Sequence, residues 1–239
     1  MKKISVVVSS YARFPCIQKL VESARRIFPK GEYEVVAVCS DHPESSKAQW
    51  LKAQDDVVYI QGDVRLTHRL RSLYAYENMG IKAAQGEWIF VTNDDTEFDD
   101  GFWHCLEACG KNWDVILTSG HLGDVGLGCR KAIIGTITPP GKKTENLYLY
   151  DFAVIRKWVY EAIGYLDENL DWFGKGFDLA MACEVTPGLR ISYSEDIKIN
   201  HSIDGENRLP PHYARDFQYA TNKWTKWCAE NGWKFTWPW

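Results

Sequence analysis

The stretch Gly86-Glu87-Trp88-Ile89-Phe90-Val91-Thr92-Asn93-Asp94-Asp95 decides the fold. A short apolar run bounded by glycine and by acids reads as a buried strand of a parallel sheet. In open α/β sheets the ligand sits at the carboxyl ends of such strands. Two adjacent carboxylates delivered there, with Asn93 beside them, suit Mg²⁺ or Mn²⁺ carrying a diphosphate, because those ions take hard oxygen ligands. The competing reading is an acidic turn, since Asp and Asn are common after strands. For an isolated Asn-Asp-Asp the turn is the better reading, and the sequence on either side reverses that.

Toward the N-terminus, strand and helix alternate. Ile4 to Val8 is a strand of β-branched residues left through Ser9-Ser10-Tyr11-Ala12-Arg13. Pro15 suits a first helical turn, and Ile17, Leu20, Val21, Ala24, Ile27 and Phe28 recur at helical spacing. Glu34 to Cys39 is a second strand with Asp41 at its exit, Glu44 to Ala53 a helix, and Val57 to Ile60 a third strand. A basic loop with Arg65, His68, Arg69 and Arg71 follows, then a helix carrying Leu70, Leu73, Tyr74, Glu77, Ile81 and Ala84. Four rounds of alternation imply a doubly wound parallel sheet with right-handed crossovers. The first, second and fourth strands then open along one edge, where Tyr11, Arg13, Asp41 and Asp95 line a crevice.

Toward the C-terminus, Phe102 to Cys109 predicts a helix and Asp114 to Ser119 a strand. Gly120 to Lys143 is glycine-rich with weak periodicity, which predicts a long functional loop or lid. Leu147 to Ile155 reads as one strand and Lys157 to Ile163 as a short helix. Two more strands, Leu189 to Tyr193 and Ile197 to Asn200, place His201 at an exit. Tyr213, Phe217, Ala220, Trp224, Trp227 and Cys228 share one face of a final helix.

Composition narrows the class. The chain has 239 residues, enough for one good core, with no sign of a second independent domain. A net charge of -4 gives no general attraction to nucleic acid or anionic lipid. Seven cysteines without Cys-x-x-Cys pairs argue against a disulfide framework and a structural zinc site. The opening residues lack a signal h-region, and no apolar run reaches the length of a membrane span. A cytoplasmic protein, at most peripheral to a membrane, is expected.

The order of these parts resembles a family 2 glycosyltransferase of the GT-A fold. The resemblance rests on Ser10-Tyr11-Ala12-Arg13 after the first strand, Asn78-Met79-Gly80-Ile81, Ala84-Gln85-Gly86-Glu87, and Asn93-Asp94-Asp95 at the metal motif. It extends to Glu161-Ala162-Ile163-Gly164-Tyr165-Leu166-Asp167-Glu168, to Gly174-Lys175-Gly176-Phe177-Asp178 and to His201. It implies a Rossmann-like, mostly parallel sheet flanked by helices, with a smaller acceptor-side β/loop region and a C-terminal helix. Residues 1–119 would form the nucleotide-sugar half of one domain and residues 120–239 the acceptor half.

By that resemblance, Asp95 is the main protein ligand of Mn²⁺ or Mg²⁺, His201 completes the metal shell or holds the diphosphate, and Asp94 supports the site by bonding ribose or sugar. Ser10, Tyr11 and Arg13 flank the nucleobase and phosphates of the donor. Asp41 accepts from a base edge, which points to uracil and a UDP-sugar, and Arg71 pairs with the diphosphate or the base. Asp178 is the general base that takes the acceptor proton, with inversion at the anomeric carbon. The acceptor is a hydroxyl on a glycan, lipid-linked sugar, protein or modified nucleobase.

The sequence departs from the pattern in places. Asn93 replaces an acid, Cys39-Ser40 stand where acids are common, and Phe177 stands where Glu often precedes the base. The match around Asp178 is ambiguous by one residue, which leaves Asp167 and Asp171 as reserve candidates. Bland readings stay open as well. Asp178 is a good helix N-cap, Asp41 before His42-Pro43 suits an Asx turn, and Trp224 and Trp227 suit the core. Two rival functions share the fold: a nucleotide-sugar or glycan-binding protein without turnover, and a sugar nucleotidyltransferase. No Gly-rich, Lys/Arg-bearing triphosphate loop follows the first strand, which argues against the latter.

Overall fold

The computed structural model describes residues 2–63, 72–122, 133–171, 174–201 and 213–236. The N-terminal half builds β1 (Ile4–Ser10), α1 (Phe14–Ile27), β2 (Tyr33–Cys39), α2 (Ser46–Lys52), β3 (Val57–Gln61), α3 (Leu73–Ala83) and β4 (Trp88–Thr92). A short β5 (Thr96–Phe98), α4 (Phe102–Cys109) and β6 (Val115–Leu122) follow. The remainder comprises β7 (Ile133–Thr138), β8 (Glu145–Tyr148), β9 (Ala153–Arg156), α5 (Lys157–Ile163), α6 (Lys175–Glu184), β10 (Ile191–His201), α7 (Tyr213–Asn231) and β11 (Lys234–Thr236).

Strand side chains alternate between faces, and here each face finds its own core. Ile4, Val6 and Val8 of β1 pack into one cluster and Val7 into the other. Trp88 and Phe90 of β4 likewise oppose Ile89 and Val91. One face is covered by Ile17, Leu20 and Ala24 of α1 with Phe102 and Leu106 of α4. The other meets Tyr74 and Ile81 of α3, Val159 of α5, Ala180 of α6 and Ala220 of α7. With helices on both sides every residue of β2 is buried, as a parallel strand requires.

The main sheet among the described residues runs β3-β2-β1-β4-β9-β6-β10-β5. β3, β2, β1 and β4 are parallel neighbours, as the alternation predicts. β9 then enters antiparallel between β4 and β6, and β5 closes the far edge antiparallel to β10. A smaller antiparallel sheet has the order β11-β7-β8.

Three segments differ from the sequence expectation. Within the stretch expected as a lid, residues 133–138 are β7, paired with both β8 and β11; residues 123–132 lie outside the described residues. Leu147 to Ile155 is not one strand but two on different sheets. The chain turns at Tyr150, whose N–H bonds to the carbonyl of Gly176 instead of continuing a ladder. Apolar periodicity cannot register such a change of sheet, because both halves are buried. Conversely, Leu189 to Tyr193 and Ile197 to Asn200 belong to a single β10 with an irregularity between Tyr193 and Lys198. Trp224 and Trp227 are core residues of α7, stacked edge to face at 5.9 Å. The tail Trp237-Pro238-Trp239 lies outside the described residues.

Gly80 shows how closely α3 sits on β1. A Cβ there would lie 2.5 Å from Val7 Cγ1, a side chain with no free space behind it. Gly80→Ala would gain about 1 kcal/mol of helix propensity, while overpacking costs about 1–3 kcal/mol. The second effect wins, so Gly80→Ala should lower Tm by a few degrees in thermal unfolding; a raised Tm would show that α3 can shift off the sheet.

Candidate active site

The site begins where β1, β2 and β4 end together. The turn after β4, which carries Asn93, Asp94 and Asp95, is closed by Thr92 Oγ1 donating to Thr96 Oγ1 at 2.8 Å. Ser10, the last residue of β1, donates to Asp94 Oδ2 at 2.8 Å. Lys47, from the first turn of α2, reaches in and donates to Ser10 Oγ at 3.1 Å while pairing with Asp41 Oδ2 at 2.5 Å. Asp41 Oδ1 accepts from the N–H of Ala12, a residue at φ +64°, so the exits of β1 and β2 are tied to each other. Arg13 then spans both acids of the turn, with Nη1 3.3 Å from Asp94 Oδ1 and Nη2 bonded to Asp95 Oδ2.

His201 arrives through strand register. β10 pairs with β5 so that His201 stands opposite Thr96, next to Asp95 in the chain. Its Nε2 lies 3.0 Å from Asp95 Oδ1 and 3.0 Å from Asn93 Nδ2. The other ring nitrogen, His201 Nδ1, has no hydrogen-bond partner. Two donors about 3 Å apart match neighbouring corners of an octahedron with metal–ligand distances near 2.1 Å. Asp95 Oδ1 and the neutral imidazole Nε2 therefore fit a divalent ion. Among the described residues no third His, Cys, Asp or Glu converges with them, so an ion held there would take its other ligands from outside these side chains.

Burial and charge divide the two acids. Burial pushes the Asp94 carboxyl up to about 6, against the pull of Arg13 and the bond from Ser10. Burial would also raise Asp95, but His201 and Arg13 outweigh it and hold its carboxyl below the usual range. Asp95 is thus the firmly ionised member of the pair.

The expected donor residues fall in different situations. Ser10, Arg13, Asp94, Asp95 and His201 form one network, and Tyr11 stands 45% exposed at its rim. Both oxygens of Asp41 are engaged inside the protein, by Ala12 and Lys47. Arg71, with Arg65, His68 and Arg69, lies outside the described residues. Lys47 was missed because a single lysine near a helix start reads as a solvated charge; only its burial marks it.

In the C-terminal half, Asp178 sits in the first turn of α6 and bonds to α7. Its Oδ1 accepts from Lys223 Nζ and from Trp224 Nε1, both at 2.7 Å. Burial raises its carboxyl, opposed chiefly by Lys223. The reserve candidates are also engaged, Asp167 by Lys223 at 2.8 Å and Asp171 by Arg215 at 2.6 Å. A cavity of about 370 Å³ lined by Asn78, Lys82, Tyr165, Asp167, Glu168 and Lys223 adjoins this network and includes none of the Asp94–Asp95 cluster. One carboxylate that sequence reading did not single out, Asp151, lies between β8 and β9. Burial raises its carboxyl too, against Lys175 and His201.

Lys47 is the buried cation that lets Asp41 and Asp94 sit close together. Breaking a buried pair by removing one partner costs about 3 kcal/mol or more. Lys47→Met should therefore lower Tm by about 6 °C or more in thermal unfolding; an unchanged Tm would show that the pair contributes nothing to stability.

Comparison with known proteins agrees with this architecture. In structure the chain is similar to S. aureus TarS 1-349 in complex with UDP-GlcNAc, at 18% identity and TM-score 0.73, covering 92% of this chain and 65% of that one. The structure of TarS 1-349 in complex with UDP aligns at 16% identity and TM-score 0.64, over 96% of this chain and 74% of that one. A longer TarS structure aligns at 18% identity and TM-score 0.64, covering 84% of this chain and 37% of that one. At such identities the likeness is one of fold. No curated protein matches the chain. The family model for glycosyl transferase family 2 matches residues 5–125, from β1 through the Asp94–Asp95 turn and beyond β6, and on that match over half of its length the chain belongs to glycosyl transferase family 2.

Proposed function

We propose that the chain transfers a sugar from a UDP-sugar to an acceptor hydroxyl with inversion, using Mn²⁺ or Mg²⁺. The observation that carries this reading is the network at the end of β4, in which Asp95 Oδ1 and His201 Nε2 lie 3.0 Å apart beside Arg13. The solved neighbours carry UDP-GlcNAc and UDP, which supports a uridine donor. A divalent ion held by Asp95 and His201 supplies positive charge to the phosphates of the leaving nucleoside diphosphate.

The chain's own residues do the positioning. Arg13 is 40% exposed on its side chain and can turn from the acids toward phosphate oxygens. Ser10 and Lys47 hold Asp94 in place beneath it. Tyr11 at the rim offers an aromatic face to the base. Among the described residues no helix is long and apolar enough to cross a membrane.

Calorimetric titration of UDP, with Mn²⁺ and with chelator, tests the donor site. Binding should need the metal and should weaken about tenfold or more in Asp95→Ala, the loss of at least 1.4 kcal/mol. If no nucleoside diphosphate bound under any condition, the family fold would be serving another ligand. A protein that binds UDP-sugars but releases no UDP would be a binding module, the reading that Asn93 and the engaged Asp178 favour.

A further inference from the structure

Resting on that reading of the donor site, we infer that Lys47 is a positioning residue for the nucleotide's diphosphate: through Ser10 it fixes Asp94, and Asp94 holds the Arg13 guanidinium where phosphate oxygens can meet it. The first support is where the lysine stands. Lys47 is the second residue of α2, at the helix end whose outward amides disfavour a positive charge. It is also buried, so its ammonium has given up water. Neither effect favours a lysine at this position, and the docking of α2 rests on Ala48 and Leu51 instead. The charge is explained by what its Nζ reaches.

The second support is the direction of the hydrogen bonds. Nζ pairs with Asp41 Oδ2 at 2.5 Å and donates to Ser10 Oγ at 3.1 Å. An ammonium only donates, and a hydroxyl has a single proton. Ser10 therefore spends a lone pair on Lys47 and directs its proton at Asp94 Oδ2, 2.8 Å away. Lys47 thus sets the Ser10 hydroxyl rotor. Balancing the charge of Asp41 needs only the first of its two contacts; the second passes the lysine's position to the end of β1 and on to the β4 turn. Ser10 and Asp94 are buried as well, so bulk water does not compete for the bond between them.

The third support is where this relay ends. With Oδ2 held by Ser10, Asp94 turns Oδ1 to Arg13 Nη1 at 3.3 Å. Arg13 Nη2 bonds to Asp95 Oδ2, so the guanidinium is braced by both acids of the turn. Lys47, Ser10 and Asp94 are buried, and Arg13 is the exposed end of the series. A planar guanidinium meets phosphate oxygens in pairs only when its plane is correctly set. What reaches the diphosphate from Lys47 is therefore orientation.

A relay and a structural prop differ in how their losses combine. Substitutions that cut one relay at two points cost little more than either alone, whereas independent losses add. A lysine that only held the fold would weaken nucleotide binding whether or not Arg13 were present. A lysine that acts through Arg13 has nothing left to position once Arg13 is gone.

The test measures UDP affinity with Mn²⁺ by calorimetry on the full chain and its variants, with thermal unfolding alongside to confirm that each is folded. Ser10→Ala, which cuts the relay but leaves the Lys47–Asp41 pair, should weaken UDP about tenfold, the loss of one hydrogen bond to a charged group. Lys47→Met should weaken it at least as much, and adding Ser10→Ala to it should change the affinity by less than about twofold. In Arg13→Gln, which keeps the Asp95–His201 pair for the ion, Ser10→Ala should likewise add less than about twofold. Unchanged UDP affinity in Ser10→Ala overturns the assignment, and that variant decides the matter even if Lys47→Met does not fold. A full tenfold loss on top of Arg13→Gln also overturns it, because Ser10 and Lys47 would then act through the fold or the metal and not through the guanidinium. Failure of the donor-site reading itself is seen separately, as absent UDP binding by the unmodified chain with Mn²⁺, and takes the assignment with it.

Discussion

Three parallel strands that end side by side must put their exit loops on one edge, and here that edge collects the carboxylates of Asp41, Asp94 and Asp95. In a partly buried setting like charges at such separations repel by several kcal/mol. Lys47 and Arg13 offset this, one from beneath and one from the rim. Their exposures differ sharply, 3% for the Lys47 side chain and 40% for that of Arg13. Lys47 is therefore a fixed part of the scaffold, whereas Arg13 can be redirected. Three acids against two permanent cations leave a net negative charge at the sheet edge, directed at whatever cation or polarised ligand enters.

The same register logic that gathers the acids also brings the imidazole. His201 is more than a hundred residues from Asp95 in the chain, yet the antiparallel pairing of β10 with β5 sets it beside the turn. The unsatisfied His201 Nδ1 is the cost of that approach. A buried polar atom without a partner costs about 1–3 kcal/mol.

The N-terminal half of the fold was legible because its signal is local. The apolar period switches from 2 to 3.6 and back, and each switch is bounded by Ser, Pro, Gly or Asp. The acids of the β4 turn were legible for the same reason, since the strand that aims them is continuous in sequence. The acceptor side was harder to read. Leu147 to Ile155 is apolar throughout, so its division between two sheets, with Asp151 at the break, leaves no periodic trace. Around α6 the motif Gly174-Lys175-Gly176-Phe177-Asp178 draws the eye to its one acid, but a shift of a single residue turns a side chain by about 100°. That Asp178 meets Lys223 and Trp224 depends on helix phase, and phase is set by the distant Leu149, Asp151 and Phe235 that surround the first turn. Lys47 left no signal at all beyond a charge on a helix.

The antiparallel β9 also governs the order in which the sheet can be assembled. β4 is complete at Thr92, but its outer neighbour ends only at Arg156, so a growing chain carries Trp88 to Thr92 as an open edge. At about 5–20 residues per second the intervening stretch takes roughly 3–13 s to emerge. Throughout that interval the strand that ends in the acidic turn is exposed to pairing with other chains. Until β9 enters, β4 and β6 cannot be joined into one sheet, so a nascent chain has no closed core at the carboxyl edge to shelter the metal-side acids.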